Sequence, residues 1–139
     1  MKKQMILICM LIGLLLLSSC GASKEGIKPT VGLENTTNTF EQISQEEAKR
    51  IMDVESGYII LDVREQDEYD GGHIPGAVLM PYEQAAELAD ELLSDKDQQI
   101  LIYCRSGRRS KIAAQTLADL GYTIIKEFGG IIDWEYEIE

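Results

Sequence analysis

Seven consecutive residues concentrate the groups that could do covalent chemistry: Cys104-Arg105-Ser106-Gly107-Arg108-Arg109-Ser110. A thiol attacks as its thiolate, so whatever favours negative charge on sulfur activates it. The segment follows an apolar run, Gln99–Tyr103, with the pattern of a buried strand. It precedes Ile112, Ala113, Leu117 and Leu120, which are spaced as a helical stripe. A helix N-terminus presents unsatisfied N–H groups and partial positive charge, which stabilise an anion placed there. Arg105, Arg108 and Arg109 add positive charge, and Gly107 lets the backbone curl so that successive N–H groups converge on one spot. The segment therefore predicts a cradle for an anionic group bonded to sulfur. It also predicts a Cys104 pKa below the free-thiol value of about 8.5.

The elements that must position this loop can be read outward from it. Thr39–Ile43 reads as a short strand, and Ser44-Gln45-Glu46-Glu47 is a capping-box pattern, with Ser44 capping and Glu47 reaching back. The helix that follows would turn Ala48, Ile51, Met52 and Val54 inward and stop at Gly57. Tyr58–Val63 reads as a buried strand, followed by an acidic segment, Glu65–Asp70, and a sharply turning loop, Gly71–Gly76. Ala77–Met80 is a short strand. Glu83–Leu93 is a helix with Ala86, Leu88, Ala89 and Leu92 at its apolar positions. Gly121 sits where a C′ glycine ends a helix, Thr123–Phe128 is a final strand, and a short helix lies around Trp134, which is expected in the core. Alternating strands and helices predict an α/β domain with a largely parallel central sheet flanked by helices. Ligands of such sheets bind beyond the carboxyl ends of the strands, where Cys104 falls.

The N-terminus has a different character. Lys2 and Lys3 precede an uninterrupted apolar run, Met5–Leu17, which ends in Leu17-Ser18-Ser19-Cys20. Such a run is too short to span a bilayer comfortably and has the length of a signal-peptide core. Leu-Ser-Ser-Cys resembles the lipobox of bacterial lipoproteins. The resemblance implies cleavage before Cys20, lipidation of its sulfur, and anchorage on the extracytoplasmic face of the cell membrane. Gly21 after the lipidated cysteine directs it to the outer membrane if the bacterium has two. The expected organisation is a signal peptide over 1–19, a lipidated cysteine and flexible tether over 20–39, and one folded domain over 40–139.

Composition bounds the partners. The 139-residue chain carries a formal net charge of −11 and has three cysteines and one histidine. Loss of the leader would remove two lysines and make the mature chain more acidic still. Such a chain is a poor partner for nucleic acid. Cys9 would leave with the leader and Cys20 would be consumed by lipid, so Cys104 remains as a lone thiol in an oxidising compartment, a candidate reactive group. One histidine and one free cysteine do not furnish a metal coordination shell, so no metal and no cofactor are expected. A monomer is the expected state. His73, beside Pro75 and the glycines of its loop, reads as a turn residue, and Asp62 with Arg64 as a structural pair.

Taken together, the motifs carry a resemblance. Cys104–Ser110 resembles the active-site loop of single-domain rhodanese-like sulfurtransferases. Asp62-Val63-Arg64, Glu68-Tyr69 and Gly72–Ala77 resemble the family's upstream motif, and Gly129-Gly130 with Trp134 resembles its C-terminal motif. The resemblance covers nearly the whole predicted domain. It implies that Cys104 takes the sulfane sulfur of a donor such as thiosulfate as a persulfide and passes it to a thiol or to cyanide. Arg105, Ser106, Gly107, Arg108 and Arg109 would form the substrate cradle, with the contacting arginine left open. Two other readings remain: a persulfide carrier or redox module without turnover of its own, and a phosphatase or arsenate reductase. The latter have a C-x₅-R loop, and Ser110 occupies the arginine position here.

Overall fold

The structure, a computed structural model, describes residues 38–139. The leader, Cys20 and the tether expected over 20–39 lie outside the described residues, apart from the tether's last two positions. Five strands form one sheet in the order β1-β5-β4-β2-β3, and every neighbouring pair is parallel. The strands are β1 (Glu41–Gln42), β2 (Tyr58–Asp62), β3 (Val78–Leu79), β4 (Gln99–Cys104) and β5 (Ile125–Gly130). Between them run α1 (Gln45–Val54), α2 (Gln66–Asp70), α3 (Ala85–Leu92) and α4 (Arg108–Asp119). The α/β parallel-sheet reading holds.

The strand at the centre explains the layering. Successive side chains of β4 point to opposite faces. Ile100, Ile102 and Cys104 join Ala113, Leu117 and Leu93 in one core, while Leu101 and Tyr103 join Ile51, Ile74 and Phe128 in the other. That alternation alone sends the Cys104 side chain to the α4 face. Each fully buried aliphatic side chain contributes about 1.5–3 kcal/mol, so the run QILIYC fixes both the strand and the side from which its last residue emerges.

Helix ends follow local chemistry. Ser44 caps α1 by accepting the Glu47 amide at 3.1 Å. The Glu47 carboxylate turns instead to Arg50, 2.8 Å away, so the expected reciprocal half of the box does not form. α4 ends in a Schellman motif: Gly121, at φ +93°, donates to the Ala118 carbonyl, and Tyr122 donates to Leu117.

Several expected positions are corrected. Glu65–Asp70 contains a one-turn helix, closed by Glu68 reaching back to the Glu65 amide. In α3, Ala89 is buried and Leu88 and Leu92 pack against the core as expected, but Ala86 is exposed and Ala85 takes the inward place. In α4 the buried face is Ser110, Ala113, Ala114, Leu117 and Ala118, with Ile112 and Leu120 exposed. Four of the five buried residues are small, and Leu117 is the one large side chain on that face. Val54 is exposed at the end of α1. Around Trp134 there is only a 3-10 turn, Ile131–Asp133, and the indole is half-buried against Phe128, with ring centroids 5.6 Å apart.

Candidate active site

The site is assembled where β4 and β5 end together. Ile102 pairs with Glu127 but Cys104 pairs with Gly130, so β5 carries one extra residue across this interval. Gly129 absorbs the irregularity at φ +94°, a backbone region that other residues rarely adopt. Gly130 then lies flush under the loop. A Cβ built there would stand 2.2 Å from the Arg105 carbonyl oxygen and 2.5 Å from the Ser106 Cα. No side chain fits, which gives the Gly129-Gly130 pair a physical role: it is the floor on which the loop rests.

The loop itself is short. Cys104 is the last strand residue, and Gly107, at φ +92°, is the N-cap of α4. This left-handed turn brings the Gly107 N–H to 3.1 Å from the Cys104 Sγ. Cys104 is 1% exposed, at the base of the loop. Burial pushes the thiol pKa up. The Ser110 hydroxyl and the N–H groups of Ser110, Ser106 and Gly107 together outweigh it, and the net direction is down. The pKa moves as the sequence predicts, for part of the expected reason. The expected N–H groups of the helix N-terminus lower it, joined by the Ser110 hydroxyl, while the three expected arginines are not among the causes.

The arginines divide. Arg105 and Arg108 have exposed side chains. Arg105 borders a cavity of about 340 Å³ shared with Arg64, Glu68 and Ile132. Arg109 reaches across to α2, where its two terminal nitrogens donate to the Glu68 carboxylate at 2.6 and 2.8 Å. This pair holds the Glu68 pKa down at about 2. Arg109 therefore ties α4 to α2 and is not a free cation of the cradle. Ser106 is exposed on the loop crest, and Gly107 is buried.

Sequence reasoning missed two side chains. Ser110 is fully buried, and its Oγ donates to the Glu127 Oε1 at 2.7 Å. Glu127 is 2% exposed and also accepts the Gly129 amide at 2.9 Å. The signal existed: Glu127 sits at an inward position of β5, two residues after buried Ile125, where an apolar residue is expected. Glu68 was readable only as part of a motif, because its partner lies 41 positions away.

The residues read as structural are placed as follows. Asp62 and Arg64 are paired and buried. The His73 ring stacks on Tyr69 with centroids 3.7 Å apart, and its backbone exchanges two 2.8 Å hydrogen bonds with Glu139.

Comparison with known proteins agrees with this geometry. Residues 44–137 match the family described as the rhodanese-like domain. A Bacillus subtilis protein, YrkF, whose name marks it as a candidate sulfur carrier, is 38% identical over 103 residues. That match covers 73% of this chain and 55% of YrkF, so the chain spans about half of that relative's length. The thiosulfate sulfurtransferase PspE of Escherichia coli is 33% identical over 73 residues, 52% of this chain and 70% of PspE. Among solved structures, a thiosulfate sulfurtransferase from Pseudomonas aeruginosa superposes with a TM-score of 0.66 at 27% identity, covering 72% of this chain and 20% of that one. A rhodanese from E. coli solved with anions superposes at 0.56 and 29% identity, covering 59% and 96%. With the motifs, the parallel sheet and the cysteine loop in agreement, the chain belongs to the rhodanese-like domain family.

Proposed function

We propose that the chain is a sulfurtransferase in which Cys104 carries a sulfane sulfur from a donor such as thiosulfate to a thiol or cyanide. The observation that carries this reading is a buried cysteine at the end of β4 and just before α4, whose sulfur accepts the Gly107 amide at 3.1 Å and whose pKa the surrounding N–H groups and the Ser110 hydroxyl draw down. In the first step the thiolate attacks the outer sulfur of thiosulfate. A new S–S bond forms, and the old one breaks with its electron pair leaving on sulfite. The terminal sulfur of the persulfide is then taken by the acceptor, and Cys104 departs as a thiolate. Donors fixed before the reaction stabilise the sulfur anion without reorganisation. Covalent transfer in two halves predicts ping-pong kinetics.

The test uses the purified full chain in detergent. Incubation with thiosulfate should add the mass of one sulfur atom at Cys104, and cyanide should remove it as thiocyanate. Cys104→Ser should abolish both, because a hydroxyl is far less nucleophilic at neutral pH. Absence of any sulfur adduct in the wild type would overturn the reading. Stoichiometric loading without steady-state turnover would assign a persulfide carrier instead, the reading favoured by similarity to YrkF. The phosphatase alternative loses support at Ser110, whose hydroxyl faces a buried carboxylate behind the loop. That negative charge opposes a phosphoryl group with anionic equatorial oxygens.

The proposed setting is the extracytoplasmic face of a membrane, with Cys20 lipidated after cleavage before it. The motif Leu17-Ser18-Ser19-Cys20 behind a short apolar run supports this. Cys20→Ala should leave the chain unprocessed or released, whereas the wild type should partition into detergent with a lipid-sized mass increment. An unlipidated, soluble wild type would overturn it.

A further inference from the structure

Two cavities flank the Cys104 loop, and their charges differ. One, of about 500 Å³, touches the loop at Ser106, and its charged lining is Glu46, Glu127, Asp133 and Glu135 against Lys111. Carboxylates in that excess repel an anion. The other, of about 340 Å³, is bordered by Arg105. Two more charged residues line it, and both are neutralised: Arg64 by Asp62, and Glu68 by Arg109. Arg105 is exposed and makes no ion pair among the described residues, so this side carries an uncompensated positive charge.

The remaining side chains of the Arg105 cavity are apolar. Ile131, Ile132 and Ile138 line it, and Ile132 and Ile138 are 59% and 56% exposed. Single exposed apolar residues are ordinary, but here three isoleucines meet at one concave surface. Backbone contacts hold two of them there. The Ile132 amide donates to the Arg105 carbonyl at 3.2 Å, and Ile138 precedes Glu139, whose amide donates to the His73 carbonyl at 2.8 Å. The Ile138 Cδ1 lies 3.3 Å from where a Cβ on Gly72 would stand, so the bare backbone at Gly72 makes room for it. The cavity volume falls at the lower end of the range for organic ligands, about 300–1,000 Å³. An ion as small as thiosulfate would leave most of it empty.

We propose that this cavity selects the sulfur donor, favouring an organic thiosulfonate with an apolar substituent over inorganic thiosulfate, and that Ile132 and Ile138 determine the preference. The inference rests on Cys104 being the sulfur acceptor of the proposed function. Arg105 holds the sulfonyl oxygens, and the isoleucines cover the substituent. Its positive charge matches the single negative charge of a thiosulfonate, whereas thiosulfate brings two. Cys104 is 1% exposed, so only a slender group reaches it, and a terminal sulfur atom is such a group. The thiolate attacks that sulfur. A new S–S bond forms as the old one breaks, and the electron pair of the old bond leaves on an organic sulfinate. No proton moves, and no outside oxidant or reductant is needed.

The first measurement needs no sulfur transfer. Benzenesulfonate and methanesulfonate keep the charge and oxygens of the donor but have no sulfane sulfur to give. They are titrated into the full chain in detergent and followed by NMR of the isoleucine methyl groups. Benzenesulfonate should bind about tenfold more tightly than methanesulfonate, and should shift the Ile132 and Ile138 signals. The double substitution Ile132→Ser, Ile138→Ser should remove that difference; both side chains are more than half exposed, so the fold does not depend on them. Ile112→Ser, at an exposed isoleucine of α4 outside this cavity, should retain it. Arg105→Gln should weaken both anions, and an unchanged affinity would overturn the role given to Arg105. The second measurement is sulfur loading from benzenethiosulfonate and methanethiosulfonate, whose ratio of rates should fall about tenfold in the double variant. Normal loading with equal binding of the two sulfonates, or with a difference that survives in the double variant, would overturn the selectivity and leave the proposed function standing. A binding preference without loading from any donor would refute the proposed function and leave the cavity's preference for organic anions standing.

Discussion

The carboxyl ends of β2 and β4 lie side by side, with Asp62 in register with Tyr103, and they handle charge in opposite ways. At the end of β2 every charge is used up. The Arg64 Nε donates to both Asp62 oxygens at 2.9 Å, and its Nη2 donates to Asp62 at 2.6 Å and to the Gly72 carbonyl at 2.8 Å. The Tyr103 hydroxyl donates to Asp62 at 2.6 Å and accepts the Ile74 amide at 3.1 Å. Burial and the neighbouring Asp62 carboxylate push the Tyr103 phenol pKa up, so it stays a donor. One residue further along, at the end of β4, the Cys104 sulfur accepts the Gly107 amide and has no charged partner, and the N–H groups of the loop draw its pKa down. The first end has spent its hydrogen bonds on rigidity. The second spends Ser110 on Glu127 and Arg109 on Glu68, and turns the Gly107 N–H to the sulfur itself. A buried charge beside a candidate site is therefore not by itself a catalytic sign; a donor turned to the reactive atom is the better one.

The comparison can be broken most severely at its floor. Gly130→Ala forces a methyl group into the Arg105–Ser106 backbone. The loop must lift, so sulfur loading should fall by more than tenfold, and overpacking should cost about 1–3 kcal/mol. Unfolding curves and loading assays on one preparation would check both. Wild-type loading in this variant would mean that the loop does not need its floor.

Next in size is Asp62→Ala, which leaves a buried guanidinium without its carboxylate. Breaking a buried pair costs about 3–5 kcal/mol, more stability than Gly130→Ala loses but with a smaller effect on chemistry. Denaturant unfolding should show the loss, while the remaining folded fraction should keep the Cys104 alkylation profile. A changed profile would show that the two strand ends are coupled.

Glu68 sharpens the contrast through pH. Its folded pKa of about 2 lies below its ordinary value of 4.5. The stabilisation is thus fully present above the ordinary value and is lost as pH falls toward 2. Both partners are partly exposed, so solvent screening reduces the contribution to about 1–2 kcal/mol. Glu68→Gln should lose that amount at pH 7 and show a flatter decline in stability between about pH 4.5 and 2. An unchanged acid limb would mean that the pair with Arg109 is not a stabilising one.

The smallest effect is expected at His73. His73→Ala removes a ring stacked on Tyr69, at a cost of about 0.5–1.5 kcal/mol. It should leave sulfur loading at the wild-type level, and a tenfold loss would place the imidazole in the chemistry after all.

Local patterns carried most of the architecture. The run QILIYC specifies a buried strand because only a two-sided core accepts consecutive apolar residues. Gly121 specifies the end of α4 because few other residues adopt its φ. Phase was harder to read. Ile112 and Leu120 look like core residues by type, yet α4 buries Leu117 together with the small Ser110, Ala113, Ala114 and Ala118. Whether a helix packs through large or small residues depends on the distance to its neighbour, which no local pattern encodes.

The same division runs through the site. By itself the sequence determined that Cys104 ends a strand a few residues before a helix, and that Gly107 can turn the backbone toward it. Both follow from chain geometry within a few residues. Tertiary structure alone decided the fate of the charges. Arg109 is taken by Glu68 across 41 positions, and Ser110 faces Glu127 across 17. Gly130 meets the loop only because β5 lies beside β4 with an extra residue. Electrostatics and steric contact depend on distance in space, and the parallel sheet sets those distances by joining strands far apart in the chain.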